Sequence, residues 1–182
     1  MLLIEDKDLI KGFSDPDKKQ FTFSLLVRKY QQRIYWHIRR IVVSHEDADD
    51  LTQEVFIKVW KNLHQFRQDS QLFTWIYRIA TNECLYFLSK KKKKYFLPIV
   101  NVEKELLSKL ESDVYIEADE IQLKLQKAIL SLPEKQRLVF NMKYFDELKY
   151  EEISSILGTS VGALKASYHL AYKKITEYLN KN

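Results

Sequence analysis

One cysteine, three glycines and three prolines in 182 residues exclude several kinds of protein at once. Cys84 alone cannot close an internal disulfide, so the chain is no disulfide-stapled scaffold and suits a reducing cytoplasm. Its place on an apolar helix face makes it a small core filler rather than a reactive thiol. With glycine this scarce there is no phosphate-cradling loop. The four histidines, His37, His45, His64 and His169, show no metal-ligand spacing with Cys84 or with the carboxylates. No apolar run approaches the ~18 residues that span a bilayer, and Met1-Leu2-Leu3-Ile4-Glu5-Asp6 lacks a basic leader. The expectation is a cytoplasmic protein with no metal or other cofactor and no direct membrane insertion.

What the chain does have is apolar and charged residues in helical proportions, 46% and 30%, enough for one domain or two small ones. Its net charge of +5 points to an anionic partner. That charge is unevenly spread: residues 1–94 carry +6, residues 95–120 carry −5 and residues 121–182 carry +4. Two basic lobes joined by an acidic connector fit two modules on one long polyanion.

The first lobe reads as helical throughout. Asp15-Pro16-Asp17 is a turn, after which Phe21, Leu25, Tyr30 and Ile34 begin an amphipathic run to about Val43. Ser44 is an N-cap for the next helix, with Glu46 and Asp47 where the macrodipole favours them. There Ala48, Leu51, Val55 and Val59 form the core stripe. Asp47, Asp50 and Glu54 face outward beside Gln53, Phe56 and Trp60, an acidic ridge suited to a protein partner with basic residues around an apolar groove. Phe56 and Trp60 also fit plain packing on a neighbouring helix.

From Gln71 to the lysine run Lys90–Lys94 no Gly or Pro interrupts a long helix. Phe73, Ile76, Ala80, Cys84 and Phe87 share its buried face. Trp75, Arg78, Asn82, Tyr86, Ser89 and Lys93 share another, mixing π-surface, amide, hydroxyl and cation as a single-stranded nucleic acid requires. The preceding turn, Phe66 to Gln71, adds Arg67, Asp69 and Ser70.

Residues 95–118 read as an acidic linker, partly helical near Glu103 to Leu110. The second lobe, residues 119–182, holds a helix on Ile121, Leu125, Ile129 and Leu132, then one opened by Pro133. Tyr150 to Leu157 is a short helix stopped by Gly158. Ser160 then caps a helix from Val161 to about Leu179, completing a helix-turn-helix. Leu164, Tyr168, Ala171 and Ile175 point inward. Gly162, Lys165, Ala166, His169 and Lys173 point outward, as a major-groove reading helix requires.

Two stretches carry a resemblance. "DADDLTQEVFIKVWKNLHQF", Asp47 to Phe66, with "FTWIYRIATNECLYFL" after it, resembles the second domain of bacterial RNA polymerase sigma factors. "LPEKQRLVFNMKYFDELKYEEISSILGTSVGALKASYHLAYKKI", Leu132 to Ile175, resembles their fourth. The order matches the extracytoplasmic-function class of the sigma-70 family over roughly residues 6–94 and 119–180. The resemblance implies an all-α protein of two small helical domains joined by a flexible linker. It implies docking on core RNA polymerase, at the β′ clamp helices through Asp47, Asp50, Gln53, Glu54 and Trp60, and at the β flap. It implies capture of the promoter minus-ten strand, with an unstacked base, by Arg67, Asp69, Ser70, Trp75, Arg78, Asn82 and Tyr86. Ser160, Gly162, Lys165, Ala166, His169 and Lys173 are then the minus-thirty-five readers, and an anti-sigma factor is a further partner. The linker would thread toward the RNA exit channel.

One departure stands out. Where family members place arginines on the recognition helix, this chain has Ser167, Leu170 and Tyr172. Losing Arg removes the commonest bidentate reader of guanine, about 1–3 kcal/mol of discrimination per pair. The upstream element is therefore expected to depend less on guanine. A stand-alone helix-turn-helix regulator with a dimerising N-terminal lobe is the alternative reading. An enzyme acting on nucleic acid lacks any supporting motif.

Overall fold

The longest helix, α2 (Lys19–Val42), is the element the rest pack around. Nothing in its 24 residues breaks a helix, and Leu26, Tyr30, Ile34, Ile38 and Ile41 recur every three or four positions as a fully buried stripe. In this computed structural model, which describes residues 4–94, 107–108 and 120–181, every regular element is helical among the described residues. α1 (Asp6–Phe13) lies across α2, held by Asp6, which accepts from Lys29 Nζ at 2.6 Å and from the Tyr30 hydroxyl. Gly12 permits that approach: a Cβ there would stand 2.5 Å from Thr22 Oγ1. Thr22 therefore faces α1, which sets the register of the first turn of α2. Phe21, expected in the core, is 67% exposed as a result.

α2 ends at Val43, a β-branched residue with φ of 65°, a backbone conformation that costs on the order of 1–3 kcal/mol. Its side chain is buried against Leu130, with Leu107 packed beside them. Ser44 then caps α3 (His45–Asn62), its hydroxyl accepting from the Asp47 amide at 3.3 Å as expected. A 3₁₀ turn (Leu63–Gln65) and the polar turn 66–71 lead to α4 (Leu72–Lys94).

The C-terminal helices are α5 (Glu120–Leu130), α6 (Glu134–Tyr144), α7 (Tyr150–Leu157) and α8 (Val161–Lys181). α5 buries Ala128, Ile129 and Leu130, whereas Ile121 is 78% exposed and takes no part in the core. Pro133 precedes α6, and the buried Arg137 donates to Leu130 O at 3.2 Å, tying α6 to the end of α5. The predicted linker lies outside the described residues except Leu107 and Ser108. The N- and C-terminal lobes pack together. Leu138, Met142, Ile153 and Ile156 share one continuous core cluster with Ile38, Ile76 and Leu88.

Candidate polymerase and nucleic-acid interface

On α3 the apolar stripe Ala48, Leu51, Val55 and Val59 is buried, which turns Asp50, Gln53 and Glu54 to solvent. Asp50 and Glu54, four residues apart, are like charges on one face, a local cost of a few tenths of a kcal/mol. Asp47 is half-buried and pairs with Lys91 of α4 at 3.6 Å. Asp47 and Glu54 line a groove of about 500 Å³ between α3 and α4, whose other wall carries Tyr86 and Lys90.

Trp60 does not stand on that ridge. It is half-buried in a cluster with Phe13 and Phe23, ring centroids 5.3 and 4.9 Å away, under the Lys19 ammonium at 4.9 Å. Phe56 is buried too. Trp60 packs α1 and α2 on α3, so the ridge is Asp47, Asp50, Gln53 and Glu54.

The polar turn before α4 leaves Arg67, Gln68 and Asp69 exposed and Ser70 half-buried, with Gln68 at a φ of 59°. Phe66 packs on Trp75, centroids 5.4 Å apart, fixing the turn to the first coil of α4. Trp75 and Asn82 line one polar groove of about 350 Å³, within the size range of small-ligand clefts. Its remaining wall comes from Lys58, Asn62 and Gln65 of α3 and the following turn, and from Ile79 and Glu83 of α4. Lys58 Nζ and Glu83 Oε1 are 2.5 Å apart. The mixed-face reading missed these α3 residues because nothing local to α4 points to them; the four-residue spacing of Lys58 and Asn62 was the available signal. Arg67, Asp69 and Ser70 stay on the turn outside this groove, and two further predicted contacts lie elsewhere. Tyr86, 64% exposed, belongs to the neighbouring groove with Asp47 and Glu54. Arg78 turns toward the C-terminal lobe, where its guanidinium donates to Ser155 Oγ at 3.0 Å.

In the C-terminal lobe, Gly158 adopts a φ of 63° and ends α7, the left-handed C-cap that glycine accepts without strain. Glu152 accepts from the Lys149 amide at 2.7 Å, closing the start of the same helix. The Ser160 hydroxyl accepts from the Ala163 amide at 3.4 Å and opens α8. Leu164, Ala171 and Ile175 are buried, and Tyr168 stacks on Phe140 with centroids 5.7 Å apart. Ser160, Gly162, Lys165, Ala166, His169 and Lys173 are all exposed, together with Leu170 and Tyr172.

Comparison with known proteins fits this geometry. Residues 26–94 match the sigma-70 region 2 family and residues 122–175 match sigma-70 region 4. The chain is 33% identical to the ECF RNA polymerase sigma factor SigW of Bacillus subtilis, across 88% of this chain and 90% of that one. The chain belongs to the extracytoplasmic-function class of the sigma-70 family. Against the ECF RNA polymerase sigma-E factor of Escherichia coli K12 the identity is 30%, covering 94% and 93% of the two chains. Among solved structures, the sigma factor RpoE from Bartonella quintana, in complex with the anti-sigma factor NepR, shares the fold. The TM-score is 0.68 at 18% identity, covering 87% of this chain and 96% of that one.

As a sigma factor, the protein directs RNA polymerase to promoters, which sets the stand-alone regulator reading aside. Among the described residues of this sigma factor, no helix is long and apolar enough to cross a membrane, and no cluster of His, Cys, Asp or Glu could hold a metal. Cys84, on the inner face of α4, is fully buried. Burial drives its thiol well above the ordinary range, with the Glu83 carboxylate adding to the effect. Iodoacetamide is therefore expected to alkylate native Cys84 about tenfold or more slowly than the unfolded chain. Equal rates, read by mass spectrometry, would place the thiol at the surface.

Proposed function

We propose that this sigma factor divides its work among three surfaces. The ridge of Asp47, Asp50, Gln53 and Glu54 docks on the β′ clamp helices. The turn and groove formed by Arg67, Asp69, Ser70, Trp75 and Asn82, with Arg78 and Tyr86 flanking, hold the opened minus-ten strand. The exposed face of α8, Ser160 to Lys173, reads the minus-thirty-five duplex and reaches the β flap. One observation carries this reading: the acidic ridge and the strand groove share the rigid α3–α4 pair, so docking fixes where the opened strand must lie. Extruding a base costs a few kcal/mol, which stacking on Trp75 and hydrogen bonds from Asn82 offset. The protein acts in the cytoplasm, carries no chemistry of its own, and is held in check by an anti-sigma factor, as its structural relative RpoE is bound by NepR.

Transcription in vitro with core polymerase on genomic fragments, mapping start sites, tests the whole reading. No initiation above core alone overturns it. Asp69→Ala or Asn82→Ala is expected to change minus-ten base preference several-fold while core binding holds, because one hydrogen-bonding base contact is worth about 1–3 kcal/mol. If both properties fall together, these residues serve folding. Upstream, sites selected from a random pool are expected to lack the guanine-rich consensus that arginine readers favour.

A further inference from the structure

A large apolar side chain stands in water on the outward face of α8: Leu170 is 47% exposed. The buried Leu164, Ala171 and Ile175 fix the opposite side of the helix as Ala166, His169, Leu170 and Lys173. Ala166 and Leu170, four residues apart, share one row of that side. Neither can donate or accept a hydrogen bond through its side chain. The cations of the same helix are drawn aside from that row. Lys165 Nζ lies 5.8 Å from the centroid of the Tyr150 ring, to which Lys143 Nζ also comes within 5.2 Å. Lys173 Nζ stands 4.0 Å from Glu177 Oε1, and Lys174 donates to Gln136 at 3.1 Å. A carboxylate beside Lys173 opposes the approach of a phosphate to it. Of Ala166, His169 and Leu170, only His169 can hydrogen-bond a base. Each base pair presents donors and acceptors in the major groove, and thymine alone adds a methyl group. That methyl is the one base feature which Ala166 and Leu170 can match.

We infer that Leu170, with Ala166 beside it, reads thymine 5-methyl groups, so that thymine sets the upstream element at their positions. The inference rests on α8 as the reader of the minus-thirty-five duplex. A methyl laid on Leu170 takes apolar surface of both partners out of water. One such group is worth about fourfold in affinity. Other bases are refused for a second reason. A purine turns its N7 acceptor, and cytosine its N4 donor, toward a side chain that can answer neither. Hold on the backbone falls to a separate set. Lys143 and Lys165 converge on Tyr150 at the start of α7, a basic corner suited to phosphate, which carries no sequence information. Affinity and base choice therefore belong to different side chains, and each can be altered alone.

Deoxyuridine in place of thymine removes the methyl and keeps every hydrogen-bonding group, so it isolates the contact. The probe is a promoter located by start-site mapping, with each upstream thymine replaced in turn on either strand. It is bound to polymerase holoenzyme carrying the full chain. At least one replacement is expected to weaken binding about fourfold. In Leu170→Ala the penalty at that thymine should fall below about twofold. Leu170 is exposed, so the variant keeps its fold, which circular dichroism checks. Lys165→Ala should weaken binding to all upstream sequences alike and flatten the salt dependence. Uracil tolerated at every position, an undiminished penalty in Leu170→Ala, or an upstream element without thymine overturns the methyl contact. A loss in Lys165→Ala beside such a result still leaves α8 on the duplex. If Lys165→Ala, Leu170→Ala and uracil all change nothing, α8 is not the duplex reader, and both readings fall.

Discussion

Asp50→Lys combined with Glu54→Lys is expected to weaken binding to core polymerase about a hundredfold or more, with the fold intact. The two side chains are exposed and four residues apart on α3, where they repel each other mildly. Two lysines repel in the same way, so helix stability barely changes. What changes is the sign presented to the partner. Facing a basic surface, the doubled reversal turns attraction into like-charge contact, worth several kcal/mol, and about 2.7 kcal/mol is already a hundredfold. The loss should sit partly in the association rate and shrink as salt rises. Surface-plasmon measurements on immobilised core, with circular dichroism as the fold control, read both. Unchanged affinity would move the docking surface elsewhere on the lobe.

Tyr77→Ala is expected to unfold much of the N-terminal lobe, and Tyr77→Phe to leave its stability level or higher. The side chain is fully buried, with its ring 4.4 Å from the centroids of both Phe73 and His37. Deleting a buried aromatic costs about 3–5 kcal/mol, a large share of the 5–15 kcal/mol that holds a domain together. The hydroxyl is a different matter. It is buried with no partner at hydrogen-bonding geometry, and burial, then the nearby Asp146 charge, raises its pKa well above the ordinary phenol range, the Arg33 guanidinium opposing both. Removing it takes away an unmet desolvation cost of about 1–3 kcal/mol. Urea unfolding of both variants is the check. A Tyr77→Phe protein less stable than its parent by more than 1 kcal/mol would mean that the hydroxyl has a partner.

Local chemistry made part of this legible. The Ser44 cap, the α3 stripe, the Gly158 turn and the outward face of α8 depend on residues within a few positions of one another, and the sequence alone places them. Resemblance supplied the family. Failures came where a distant element decides. Phe21 is in register with the core stripe by periodicity, yet Gly12 brings α1 onto Thr22 and turns Phe21 out. Trp60 fits both the ridge and plain packing until Phe13 and Phe23 arrive from two other helices. His37 and Asp146 are 109 positions apart, and no pattern on α2 foretells that its histidine meets a loop of the other lobe. The groove of Trp75 and Asn82 was half legible: α4 shows those two residues, but the opposite wall on α3 is visible only once the two helices pair.

Synthesis order gives the contact between Arg78 and Ser155 one more consequence. A ribosome adds residues at about 5–20 per second, and domains fold as they emerge. About 90 residues follow Lys94, so they take roughly 5–20 s to make. For those seconds the α2–α4 body stands without Ser155, the hydrogen-bond partner of Arg78. A newborn chain therefore presents the Arg78 face of α4 before it has made the helix that covers it.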